Sequence, residues 1–564
     1  MRAVLSSFGG IVPRLSDHSL KSLNATIADS VKLRNGRLES WRSMCPFDTP
    51  VPVSDAKSFH LYGCCPVLWQ EPAVQAADVH PDWGRFYITG RTNRLEAVEV
   101  DRCTCQPSYY YVGVPAPTAP PVASASEECS RIADSRAYVY TYVNKWYEES
   151  APSPASNIVR VNDGSRVRVT GIAMPPDGYG IIGANLYRAS TGYQNADGKT
   201  QKPLTDFLYV GFVEFPSTTF DDTIKMVGLG PVLETEKVRV PPVGLSNVCK
   251  IDGVTRLAGT TKNNVHLSEN FQLHNWPVKY DLTLKSNIVH MGCLDQKLYV
   301  TTDTNPYVID VSNCEDMKCT PVLDVAAPLP DISCVSACSA IITPFGFVYS
   351  SSIGVILIDP QARWHILTSK WFSEDDWQRV RPQTARFAYW EGYLFITTDA
   401  VALLLDINGD PYGDMRDAEL TTLDNYFEFI HPISYEVSGT GDCFILRDGS
   451  VFVWNKGDSY VPFQWRSRAL TGDNDAAGPG QVPDNTPALG NTWSPVSAKI
   501  KSSLVEFSLR TRQHELYRRI VAGERPIRLP RMGRHQEFFV ELRGVEPVDF
   551  VNLGTSNFTV NSGT

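Results

Sequence analysis

The residues of this 564-residue chain best spaced for chemistry lie in Asp406-Ile407-Asn408-Gly409-Asp410-Pro411-Tyr412-Gly413-Asp414-Met415-Arg416-Asp417. Asp406, Asn408, Asp410, Asp414 and Asp417 stand where a calcium loop places its oxygen ligands. Pro411, however, occupies the position where the sharp turn of such a loop wants Gly, and Asp417 replaces the bidentate Glu. An Asn408-Gly409 hairpin turn flanked by solvated acids explains the same residues. Glu374-Asp375-Asp376 is the densest acidic cluster and reads as a solvated loop, because nothing in its spacing sets two carboxylates at a glycosidase separation. His266 and His274 flank Ser268-Glu269-Asn270-Phe271, yet the chain has no G-x-S-x-G elbow, no H-E-x-x-H and no phosphate-binding glycine loop. The expectation is a protein without catalytic residues and without a cofactor.

Thirteen cysteines, an odd number, favour reduced thiols over a disulfide framework. Cys103 with Cys105, Cys314 with Cys319, and Cys334 with Cys338 all miss the C-x2-C spacing of a zinc knuckle, so small apolar side chains in strands are expected there. The triplets Asn24-Ala25-Thr26 and Asn557-Phe558-Thr559 match a glycosylation acceptor but carry no weight without a secretory route.

The balance of 52 basic against 62 acidic residues leaves a net charge of −10. No overall basic field exists to neutralise phosphates, which disfavours sequence-specific nucleic-acid binding without excluding DNA as cargo. The opening Met1 to Gly10 lacks the apolar core of a signal peptide, and the longest later apolar run, Ala400 to Leu405, is far below the roughly 20 residues that span a bilayer. Synthesis in a cytosol and no integral membrane segment are expected.

The elements that must position any site are strands. Asp82–Gly90 runs into Asn93–Val100 through a Gly- and Asn-containing turn, a hairpin signature. The device returns at Asp252–Gly259 with Asn264–Ser268, Gln296–Thr302 with Tyr307–Asp310, Phe345–Ser350 with Val355–Asp359, Glu391–Thr397 with Ala402–Asp406, and Asp442–Ser450 with Val451–Trp454. From Asp252 the interval is roughly 45 residues, that of a four-stranded propeller blade. A blade cannot bury both its faces alone, so neighbours must cover them. An all-β propeller of about six blades is predicted, and no copy carries the WD dipeptide at the blade end or a sialidase Asp-box.

Between the first hairpin and the rest, Pro115-Ala116-Pro117-Thr118-Ala119-Pro120-Pro121 is a stiff spacer. Ala137-Tyr138-Val139-Tyr140-Thr141-Tyr142-Val143-Asn144, Glu148-Glu149-Ser150-Ala151-Pro152-Ser153-Pro154, Val167–Thr170 and Gly183–Ala189 follow at strand spacing. This stretch resembles a fibronectin type III sandwich, with Tyr147 where that pattern has a turn Gly. Such an insert is an adhesive or spacing module. The predicted organisation is an extended arm over 1–50, a first propeller part over 51–113, the fibronectin/Ig-like insert over 114–243, the remaining blades over 244–465, and a C-terminal β unit over 466–564. That last unit contains the polar loop Gly472–Gly480 and the alternating stretches Ser497–Lys501, Leu504–Leu509 and Phe538–Leu542.

The N-terminus reads Phe8-Gly9-Gly10-Ile11-Val12-Pro13-Arg14-Leu15, then Asn24-Ala25, Ala28, Leu33, Gly36-Arg37-Leu38 and Trp41-Arg42. It resembles the opening of the tail nozzle proteins (tail tubular protein B) of short-tailed bacteriophages, a "GGI-x-P-R-L" segment followed by spaced Asn, Ala, Leu and Gly; Asp29 and Ser30 stand where that pattern often has Asn. His266–Phe271 with Trp276-Pro277, and Phe463-Gln464-Trp465-Arg466-Ser467 with Arg528-Leu529-Pro530 and Val540-Glu541-Leu542-Arg543-Gly544, are similar to later passages of the same virion propellers. The resemblance implies a structural virion protein, assembled in the host cytoplasm. It would form a homo-hexameric ring at the distal end of the tail, below a tail adaptor and beside tail fibres or spikes, and would conduct genomic DNA without reading its sequence. Contact with the host cell surface belongs to the same picture. A receptor-binding or polysaccharide-processing propeller is the alternative, and an intracellular scaffold a third class. Six copies would surround a passage with about −60 of charge, which would let phosphates slide rather than stick. Phe8, Gly9, Gly10, Ile11, Pro13 and Leu15 are expected to form a non-helical assembly arm packed on the propeller or on a neighbour.

Overall fold

Each predicted hairpin is the central pair of a set of four antiparallel strands in the computed structural model, which describes residues 2–21, 23–125, 134–190, 204–322, 331–407, 411–412, 415, 418–427, 434–439, 441–471, 492–556 and 560. Central strands are covered on both faces: Arg85–Thr89, Tyr393–Thr397 and Ala402–Asp406 are buried at every position. Among the described residues six such blades occur, and the fold is an all-β propeller with an inserted β-sandwich and an additional C-terminal β unit.

The chain divides into two compact units. One comprises Val74–Leu298 and Asp310–Lys318. Its first blade is Gln75–Ala77, Arg85–Thr89, Glu96–Val100 and Pro107–Tyr111; its second is Ser246–Lys250, Leu257–Thr261, Asn264–Leu267 and Leu282–Thr283. The leading strands of these two blades lie against each other, the radial order of a propeller.

The chain leaves between them to build the sandwich. Val122–Ala125, Val167–Thr170 and Phe220–Asp222 form one sheet, and Val159–Val161, Asp134–Asn144, Ile181–Ser190 and Leu204–Glu214 form the other. Tyr138, Tyr140 and Tyr142 alternate into the core between the sheets. The segment after them is held by a ladder of three serines. Ser150, Ser153 and Ser156 each donate a backbone N–H to the carbonyls of Tyr142, Tyr140 and Tyr138, and each accepts the N–H of the same tyrosine on its hydroxyl at 2.9 to 3.1 Å. Prolines between the serines lack the N–H that an ordinary strand would offer, and the hydroxyls replace it.

The other unit comprises Met1–Ala73, Tyr299–Ile309 and Cys319–Thr564. It holds the blades Ile341–Thr343 to Trp364–Ile366 and Arg386–Trp390 to Glu419–Thr422, and a last blade of Ser434–Val437, Cys443–Arg447 and Ser450–Val453. The N-terminal strand Cys45–Pro46 completes this last blade, pairing Phe452 with Pro46. Closing a late blade with an early strand ties the two ends of the chain together. The remaining meander, from Ile288–Leu294 to Lys318–Pro321, is the one through which the division into units passes.

The residues read as an arm over 1–50 are woven into this unit. Arg2–Leu5 pairs with Val548–Gly554, and Ala25–Asp29 lies between Phe463–Ser467 and Glu419–Thr422, so the terminal sheet continues from the outer strand of a blade. Ser497–Lys501 and Leu504–Leu509, read as separate stretches, are one strand, Ser497–Arg510, with a register shift near Ser502. Two of the thirteen cysteines, Cys65 and Cys105, are disulfide-bonded, which corrects the expectation of reduced thiols for those two; ten others are free. No helix among the described residues is long and apolar enough to cross a membrane.

Candidate functional site

Phe8 to Leu15 has no regular secondary structure, and its backbone is held almost atom by atom. Gly9 donates its N–H to the Leu23 carbonyl at 2.7 Å, Gly10 to the Glu419 carboxylate at 2.5 Å, Ile11 to the Leu420 carbonyl at 2.9 Å and Arg14 to the Trp371 carbonyl at 3.0 Å. A Cβ on Gly10 would lie 2.2 Å from the Leu420 carbonyl oxygen, and one on Gly9 would lie 2.8 Å from that of Leu23. The two glycines therefore serve close approach of main chain to main chain. Phe8 meets the edge of Trp465 at 4.9 Å between centroids, and the Trp465 indole N–H donates to the Gly9 carbonyl at 3.1 Å. Val12 is buried in the core of the blade beneath, whereas Pro13 and Leu15 are exposed.

Downstream, Asp29 accepts the Thr422 hydroxyl and the Asp424 N–H, both at 2.7 Å, and the Asn425 N–H at 3.0 Å; Ser30 accepts the Tyr426 N–H at 3.1 Å. Ser30 has φ of 53°, a left-handed conformation that Asn tolerates better than most residues. Phe8, Ala25, Ala28, Leu33 and Leu38 then join Phe463, Trp465, Leu529, Val540 and Leu542 in one buried cluster. Segments more than 400 positions apart in sequence thus make a single core.

Residues 497–535, several of which contribute to this core, carry ten basic and three acidic residues, a local excess of seven, so the rest of the chain carries −17. Arg519, Arg525, Arg528, Arg531 and Arg534 are exposed and form no ion pair among the described residues. In the same unit a cleft of about 770 Å³ is lined by Arg42, Trp390, Trp454 and Tyr460, where Lys32 sits 4.4 Å over the Trp41 ring and burial holds its ammonium below the usual lysine range.

The other residues singled out by chemistry are engaged structurally. Asp406 is committed to Arg34, whose Nε and Nη2 lie 3.0 to 3.1 Å from its carboxylate, while Asn408, Asp410, Asp414 and Asp417 lie outside the described residues, as does the loop 472–480. Among the described residues no group of three or more His, Cys, Asp or Glu is placed to hold a metal ion. Glu374, Asp375 and Asp376 do not form a loop but the acidic first turn of the helix Glu374–Arg379, capped by Ser373, whose hydroxyl accepts the Asp376 N–H. His266 is held between Asp281 and Thr261, each at 2.7 Å, and His274 lies 4.0 Å from Glu148. Phe8–Leu15 and the distant segments it meets form a packed joint within one unit.

No protein-family model matches the chain, and no curated protein matches it. Solved structures similar to it include the β-propeller domain of Cps50 (Swd1) from Myceliophteria thermophila, at 9% identity and TM-score 0.28 over 49% of this chain and 82% of that one. Sqt1 of Saccharomyces cerevisiae aligns at 8% identity and TM-score 0.29 over 76% of this chain and 99% of that one. The extracellular domain of the hybrid two-component system BT4673 from B. thetaiotaomicron aligns at 12% identity and TM-score 0.25, over 56% and 38%. At such scores the architecture rests on the strand pairing described above.

Proposed function

We propose that the chain is the nozzle subunit of a short-tailed phage tail: a structural, non-enzymatic wall element, six copies of which enclose a passage for DNA beneath an adaptor ring. The observation that supports this reading is the single cluster joining Phe8, Leu33 and Leu38 to Trp465, Leu529, Val540 and Leu542. The motifs that resemble nozzle proteins at the two ends of the chain are parts of one joint, so they stand or fall together rather than as separate short coincidences. The blades suit a wall, since close-packed interiors have low compressibility.

The exposed arginines of 519–534 set a condition on the passage. Phosphates adhere to unpaired arginine, so this surface belongs on the outside of the ring or against a neighbour, with the acidic remainder facing DNA. Image reconstruction of virions from a phage encoding the chain tests the proposal. Six copies at the distal end of the tail are expected, and a passage lined mainly by Lys and Arg, or a tail without the chain, would overturn it.

A further inference from the structure

Within Val74–Leu298, a cleft of about 790 Å³ opens between the sandwich and the first two blades. Four aromatic side chains line it: Trp83, Trp146, Tyr147 and Phe271. Tyr147 is 83% exposed and Phe271 64% exposed, and both adopt left-handed backbone conformations, with φ of 62° and 59°. A bulky residue in that region is strained and gains nothing from burial when it points to solvent. At Tyr147 the sandwich pattern ordinarily has Gly, which takes such a φ freely. This chain instead places an aromatic ring there.

The polar lining is equally specific. Three cationic residues, Arg85, Lys145 and Lys237, and three acidic ones, Glu148, Glu149 and Glu234, line it, so formal charge cancels; Lys145 is paired with Glu99, and Glu149 accepts the Thr141 and Tyr187 hydroxyls. Arg85 is 6% exposed and lies 4.0 Å over the Trp146 ring. It donates Nη2 to Glu148 at 2.6 Å, while its Nε and Nη1 have no hydrogen-bond partner. The Thr235 hydroxyl and His274 Nδ1 are likewise buried without one, and burial holds the His274 imidazole below its ordinary range.

We infer that this cleft binds a neutral oligosaccharide. Sugar hydroxyls both donate and accept, matching carboxylates and unpartnered donors together, and the apolar faces of pyranose rings stack on exposed aromatic rings. A phosphate-rich polymer would meet three carboxylates, and a purely apolar ligand would leave the ionic lining dry. The inference does not rest on the nozzle reading and holds for the chain in any assembly.

Saturation-transfer NMR and calorimetry on the full chain with maltohexaose, cellohexaose and chitohexaose test it. At least one is expected to bind, and Tyr147→Ala with Phe271→Ala should weaken that binding about tenfold or more. The melting temperature should hold, because both side chains are exposed and alanine keeps the Cβ and with it the same left-handed backbone. Glu234→Gln, at an exposed position, provides a second variant expected to weaken binding without affecting folding. Binding of none of the three sugars, or undiminished binding by the double variant, would overturn the inference. Ring assembly is read separately, so loss of one result leaves the other intact.

Discussion

At the scale of single residues, what decides the structure is how close backbones come and which polar groups are left with partners. Gly10→Ala is the sharpest test, because the added methyl meets a backbone carbonyl that cannot swing aside. A loss of about 1–3 kcal/mol is expected by denaturant unfolding; unchanged stability would contradict the described seat. Cysteine chemistry should divide in the same way. Burial pushes the Cys443 thiol up to about 12, whereas Cys64, Cys103 and Cys338 are exposed. A thiol raised in the folded state stays protonated well above the unfolded value, so Cys443 should remain unreactive at pH 8 while the exposed three label first, and it should react only on unfolding. Denatured without reductant, the chain should titrate at least two thiols fewer than after reduction, because Cys65 and Cys105 are bonded.

At the scale of elements, legibility followed burial. The central hairpin of each blade was readable because its strands are apolar on both faces and end in turn residues, as in Tyr393–Thr397 and Ala402–Asp406. The fourth strands, such as Leu282–Thr283 and Trp364–Ile366, are short and half exposed and left no pattern. Gly9-Gly10 was legible as helix-breaking, but its reason, contact with Leu420, comes from a partner about 400 residues away. The pairing of Arg2–Leu5 with Val548–Gly554 is equally silent locally. Of the inferred cleft, the missing turn Gly at Tyr147 showed in the sequence, and Glu148-Glu149, Phe271 and His274 stood out there for other reasons; that they meet Trp83 and Arg85 comes from folding. In the sandwich, the serine ladder makes a definite claim. Ser153→Ala leaves the buried Tyr140 N–H without its acceptor and should cost about 1–3 kcal/mol. The exposed Ser217, substituted likewise, should cost little; equal effects would show that the ladder is incidental.

At the scale of the whole molecule, the N-terminal segment is both seat and surface. Phe8 and Val12 belong to cores, so deletion of residues 1–15 is expected to destabilise the terminal unit itself and not assembly alone. Leu15→Glu, at an exposed position, isolates the surface role: the chain should melt as before but fail to enter the tail if this segment meets a neighbour. The charge count points the same way, since exposed arginines on an otherwise acidic chain suit contacts between unlike surfaces that weaken as salt is added.

The central claim is that these blades work as a wall around a passage. Reconstruction of the intact tail tests it most directly: the account predicts six copies of the chain around the axis at the tail's distal end, with acidic side chains toward the lumen. A tail whose distal ring is built from other chains, with this one absent or present as a single appended copy, would contradict it.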